Sequence, residues 1–216
     1  MQAFNLQKGE MRATVSSEGG TITTFTVGGI PIIHPWSETG GKARGGIPIC
    51  APWFGSSPRA SKKHGHLRDL GLNRVIANKH DHVSLAFHHP GDDAYPWSLD
   101  YVVKVGFFGA RGLVLELWIK RNVDGLEEPA PILPAFHPYF SCQDANGIEV
   151  CMGSEKHRGF AMQSRTVPLL SKTVLITSPV RSISMTLGGA FTTGDSELVL
   201  WSDEVNSYAC VEPVLG

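Results

Sequence analysis

No Cys-x-x-Cys pair occurs among the four cysteines of this sequence, Cys50, Cys142, Cys151 and Cys210. In a chain of 216 residues they read as buried thiols, not as a disulfide framework or a zinc site. Charge is scarce as well. Charged residues make up 18% of the chain and the formal net charge is -1, so no global field draws the protein to nucleic acid or to an acidic membrane. Any anion it binds must be held by a few local cations. No uninterrupted apolar stretch is long enough to cross a bilayer, and MQAFNLQKGEMRATVSS lacks the apolar run of a signal peptide. A cytoplasmic location follows as the expectation.

Helical apolar spacing is also missing, and 24 glycines and 14 prolines punctuate the chain throughout. What the sequence does have is alternation. Leu99, Tyr101, Val103, Val105 and Phe107 recur with period two, and so do Leu113, Leu115, Leu117 and Ile119 beyond the turn Gly109-Ala110-Arg111-Gly112. Two such runs around a glycine-bearing turn predict a β-hairpin. Shorter runs at Thr21 to Val27, Arg74 to Asn78, Val83 to His88, Ser182 to Leu187 and Leu198 to Trp201 predict further strands. Hydrophobic residues at 42% are enough for a real core. Many short strands with frequent turns predict an all-β sandwich or barrel, and without repeat, linker or low-complexity tract the chain reads as one domain over 1–216.

The stretch from His34 to Arg68 breaks this regularity. It holds Lys42, Arg44, Gly45, Gly46, Gly55, Lys62 and Lys63 around Pro52-Trp53-Phe54, which is too apolar for disorder. A connection this long in a compact domain predicts a folded loop that lines a site. Three segments place an ionisable residue among rigid apolar neighbours: RGGIPICAPWFG followed by HGHLR, then FHPYF, then YACVEP. Each has an ordinary reading. His137 between Phe136 and Pro138 fits a core histidine with satisfied nitrogens, Glu212 a carboxylate that caps a strand end or pairs with an arginine, and Arg44 a solvated turn residue. His64-Gly65-His66 resembles a metal-binding pair without a third ligand.

In this order the four motifs resemble the aldose 1-epimerase superfamily, and the nearest branch is the glucose-6-phosphate 1-epimerase (hexose-6-phosphate mutarotase) group. Tyr95-Pro96-Trp97 and the stretch from Asn122 to Pro131 also fit. The resemblance covers roughly Arg44 to Phe140 and the last twenty or so residues. It implies a large antiparallel β-sandwich of the galactose-mutarotase type whose concave face holds a sugar. The second half of the chain is shorter than is usual there, and His66 stands where an aromatic or aliphatic residue is common. Carried over by position, the resemblance makes His137 the general acid and Glu212 the general base. It makes His64 a substrate-binding histidine and Arg44 and Arg68 the phosphate-binding arginines, while Trp53 and Phe54 pack the binding loop.

Anomer exchange requires a base to take the anomeric proton while an acid protonates the ring oxygen. The ring opens to an aldehyde, rotates and recloses on the other face. The two groups are expected on opposite sides of the reacting unit, several ångströms apart across a cleft. Arg44 and Arg68 are expected to converge on one anion site, with Gly45 and Gly46 letting backbone approach the ligand. The reaction needs no metal, nucleotide or covalent intermediate, so no cofactor is expected. The implied partner is a hexose or hexose-phosphate substrate, with no nucleic acid and no membrane, and the expected state is a monomer or weak homodimer. Competing readings are the same reaction on an unphosphorylated aldose, a non-catalytic carbohydrate-binding relative, and a metal enzyme built on His64, His66, His80 and His82.

Overall fold

Period-two alternation of apolar side chains buries one face of strands such as Met11–Ser16 and Leu99–Phe108, and antiparallel pairing of the strands builds the described molecule. The computed structural model describes residues 2–39, 42–56, 62–123, 125, 127–143, 147–160, 162–203 and 208–216. The chain opens with β1 (Ala3–Lys8), β2 (Met11–Ser16), β3 (Ile22–Val27) and β4 (Ile30–Pro31), which form a four-stranded meander. A ribbon of β5 (Ser37–Thr39) and β6 (Lys42–Arg44) follows, then β7 (Ile49–Cys50) and a single turn of 3₁₀ helix at Leu67–Asp69. The next sheet contains β8 (Arg74–Asn78), β9 (His82–His89), β10 (Leu99–Phe108) and β11 (Gly112–Arg121) in sequential order.

The anticipated hairpin is β10 and β11, in register from Leu99 opposite Arg121 to Phe108 opposite Gly112. Leu99, Tyr101, Val103 and Val105 are buried, and the facing side chains of β11 are half-buried because that strand is the sheet edge. The second half supplies β12 (Ala135–Phe136), β13 (Tyr139–Ser141), β14 (Glu149–Met152), β15 (Glu155–His157), β16 (Arg165–Pro168), β17 (Thr173–Ser178), β18 (Arg181–Thr186), β19 (Glu197–Asp203) and β20 (Tyr208–Val214). Strands 14, 15, 17 and 18 make a four-stranded sheet in the order β15-β14-β17-β18. The order β16-β19-β20-β12-β7, with β13 also on β20, makes the sheet that carries the site. All pairings between these strands are antiparallel. One continuous apolar core collects Phe4, Met11, Leu85, Tyr101, Val150, Ile176, Leu200 and Val211 from the different sheets, which makes the architecture an antiparallel β-sandwich.

Strand β20 positions the chemistry. Every residue from Tyr208 to Val214 is buried, as expected of a strand covered on both faces. Ala209 and Val211 join the main core. Tyr208 and Cys210 belong to a small cluster with Tyr139 and Trp201, and Val214 to another with Cys50, Ala135 and Val199. Even-numbered residues of β20 therefore line the face opposite the main core, and Glu212 is among them.

Candidate active site

A shared register brings the first two residues together. Ala135 pairs with Val214 and Tyr139 with Cys210, so His137, midway between, falls opposite Glu212. Pro138 carries no N–H and interrupts the ladder there, while the His137 N–H donates to the Pro48 carbonyl on the other side at 3.0 Å. His137 Nε2 stands 3.4 Å from Glu212 Oε2, closer than the expected gap across a cleft, because the two are cross-strand neighbours. The arrangement remains serviceable. The anomeric hydroxyl and ring oxygen of a sugar share one carbon, so adjacent groups reach both from the same side.

Burial dominates the electrostatics. Glu212 is 3% exposed and its Oε2 has no hydrogen-bond partner, so desolvation pushes its carboxyl pKa up to about 8. The same desolvation, aided by His64, Arg44 and Arg68, pushes His137 down to about 3, and its Nδ1 is also without a hydrogen-bond partner. Tyr139 stacks flat on the His137 ring at 4.6 Å and 7°, which fixes the ring plane.

His64 reaches the pair from the long loop. It adopts a left-handed backbone, φ 66°, immediately before Gly65 at φ 71°. A side chain at Gly65 would place its Cβ 2.0 Å from the Ala51 carbonyl oxygen, so glycine is needed for the loop to lie against β7. The Gly55 N–H donates to His64 Nδ1 at 3.2 Å, which leaves the proton of the neutral ring on Nε2 as an outward donor. Burial, with help from Arg68 and Lys63, lowers His64 to about 4, so the ring is neutral near neutral pH. Its ring meets that of His137 edge-on at 5.6 Å.

Arg44 and Arg68 both stand near enough to depress His137. Arg44 lies over the Trp201 ring at 5.8 Å and donates to the Ala43 carbonyl at 3.1 Å. Arg68 donates to the Lys63 carbonyl at 3.1 Å, and its Nε is 3.9 Å from Asp69, whose carboxylate is held at 2.7 Å by Lys62. Gly45 and Gly46 depart from the expected role. Added side chains there would meet the carbonyl oxygens of Pro35 at 2.2 Å and Ile22 at 2.4 Å, so these glycines permit chain-on-chain packing. Phe54 packs on His64 at 4.9 Å, and Trp53 lies edge-on to His66 at 5.7 Å.

His66 turns away from this face, accepting or donating at 2.8 Å with the Tyr101 hydroxyl and stacking on His89 at 3.7 Å. Among the described residues, the four histidines of the metal-enzyme reading do not gather into one group. Among the described residues, the cluster with ligand spacing is His137, Cys210 and Glu212. Cys210, Tyr139 and Trp201 border the pair without a motif of their own in the sequence. The strand period was their signal, since Cys210 shares a face with Glu212, and Trp201 lies opposite Cys210 on β19.

The aldose 1-epimerase family model matches residues 2–168. The chain belongs to the aldose 1-epimerase family. Its reaction class is therefore carbohydrate epimerisation and its substrate a sugar. No curated protein sequence matches the chain. Among solved structures it is similar to a galactose mutarotase-like protein from Lactobacillus casei, with TM-score 0.78 and 14% identity over 99% of this chain and 87% of that one. It is equally similar in fold to a galactose mutarotase related enzyme from Lactobacillus acidophilus, with TM-score 0.78, 12% identity, and 99% and 85% coverage. At these identities the likeness establishes the galactose-mutarotase type of sandwich.

Proposed function

We propose that this aldose 1-epimerase relative interconverts the α and β anomers of a hexose 6-phosphate by general acid–base catalysis. Glu212 takes the anomeric proton, His137 protonates the ring oxygen, and His64 Nε2–H polarises a sugar oxygen. Arg44 and Arg68 hold the phosphate. The observation that carries the reading is the 3.4 Å approach of His137 Nε2 to Glu212 Oε2 on the site face of β20, with the carboxylate oxygen buried and unpartnered. A buried polar atom left without a partner costs about 1–3 kcal/mol, and a sugar hydroxyl recovers that cost on binding.

Glu212→Gln tests the base directly. The amide keeps the shape and still hydrogen-bonds, but it cannot accept the proton. Anomer exchange measured by NMR should fall about 10²–10⁴-fold, with sugar affinity changing far less. Exchange at the parent rate, above the buffer-catalysed background, would remove Glu212 from the mechanism. A second reading, the same reaction on a free aldose, is favoured by the carbonyl contacts of both arginines, which are ordinary loop-holding interactions.

A further inference from the structure

Cys210 has no part in the reaction proposed above, yet its thiol belongs to the same compact group. One ligand atom each from His137, Cys210 and Glu212 lies within 4.8 Å of the other two. Cys210 and Glu212 are two residues apart on β20 and project on one face, and His137 faces them from between β12 and β13. A tetrahedral zinc site has ligand atoms about 3.3–3.7 Å apart, given bonds of about 2.0–2.3 Å. Closure by about an ångström would complete three of its corners. The fourth corner is left for water or a sugar oxygen, as in zinc sites with three protein ligands.

We infer that the site binds Zn²⁺ through Cys210 Sγ, His137 Nε2 and Glu212, and that the bound metal inhibits anomer exchange by occupying the acid–base pair. The inhibitory half of this inference rests on the function proposed above, whereas metal binding itself does not. Donor chemistry favours zinc: a thiolate, an imidazole and a carboxylate are the mixed set that it accepts. Charge favours it too. One thiolate and one carboxylate neutralise the dication, so the complex is neutral in a site where an unpaired carboxylate is penalised. Glu212 Oε2, buried and without a hydrogen-bond partner, is already aimed into the group. Binding displaces the thiol proton and, where Glu212 is protonated, its carboxyl proton to the buffer, with no change of oxidation state.

Co²⁺ titrated into the intact protein should give a thiolate-to-metal charge-transfer band in the near ultraviolet at one equivalent. Zn²⁺ should abolish the band by exchange and inhibit anomer exchange competitively with sugar, and EDTA should restore the rate. Cys210→Ala and Cys210→Ser should keep basal exchange, lose the band and weaken zinc inhibition more than tenfold, because even an outer partner of a metal ligand is worth about 10–100-fold in affinity. Cys50→Ala, at the other buried cysteine of this face, should keep the band. Absence of the band in the parent protein, or its persistence in both Cys210 variants, overturns the site. A protein that shows the band but exchanges no sugar anomers would leave the metal site standing and fail the catalytic reading instead.

Discussion

Glu212 and His137 are protonated in an order opposite to the one their proposed roles require. Burial drives the carboxyl up to about 8 and the imidazole down to about 3, so between those values the pair holds one proton, resting on Glu212. The reacting form, with carboxylate and imidazolium, has the same proton count and is reached by transfer across 3.4 Å. The sign then follows. On the proposed mechanism activity should not rise as Glu212 deprotonates; it should fall, because the shared proton is the one that His137 would deliver to the ring oxygen. The expected kcat/KM profile is flat through neutral pH and declines above about pH 8, after subtraction of the buffer-catalysed rate. A profile that climbs through pH 8 would show that a group other than His137 supplies the acid.

At the scale of elements, the loop from β7 to the 3₁₀ turn matters as much as the strands. His64 is aimed by a left-handed residue followed by Gly65, and the Gly65 backbone lies against Ala51. Gly65→Ala should destabilise the fold by about 1–3 kcal/mol through strain and overlap, and should slow exchange by displacing His64. Urea unfolding and NMR exchange together check this, and an unaffected rate would separate His64 from the site. Much of this architecture was legible beforehand. The β10–β11 hairpin follows from alternation and Arg74–Asn78 from a short apolar run, and the mixed motifs in FHPYF and ACVEP lie on strands that pair. Strands β1, β2, β14, β15 and β17 were not marked. In β1, β2 and β15 the apolar residues are diluted by Asn, Arg, Thr, Glu and Lys, so short windows look polar, whereas β14 and β17 hold three-residue apolar runs too short to declare a period. The 3.4 Å contact was illegible for a different reason: it depends on long-range register between strands, and local composition does not specify register. At Gly45 and Gly46 the sequence shows that space is needed but not whether ligand or chain fills it, and the chain does.

At the scale of the whole molecule, the site is a cost that the sandwich sustains. Glu212 raised from 4.5 contributes stability fully present at low pH and lost as pH climbs towards 8, whereas His137, lowered from 6.5 to about 3, contributes stability lost as pH falls. Above about pH 6.5 only the first operates, so the folded state should weaken by about 1.4 kcal/mol per pH unit up to about 8, and Glu212→Gln should flatten that slope in denaturant titrations. The proposed phosphate selection also depends on the whole molecule. A net charge of -1 offers no general attraction, so on the proposed phosphate reading discrimination rests on Arg44 on β6 and Arg68 on the 3₁₀ turn, both near enough to depress His137. Arginine suits the task because its planar fork donates two hydrogen bonds to a phosphate. Asp69 competes weakly, since Lys62 holds its carboxylate at 2.7 Å and Arg68 is 3.9 Å away. Arg44→Ala and Arg68→Ala should each cost about 1.5–3 kcal/mol of phosphosugar binding, the scale of a hydrogen bond to a charged group. Both arginines also depress His137, so some change in rate is expected with every substrate. The ratio of kcat/KM for glucose 6-phosphate to that for glucose removes this common part. That ratio should drop at least about tenfold in each variant; if it holds at the parent value in both, the arginines serve the loop, and the substrate is a free aldose.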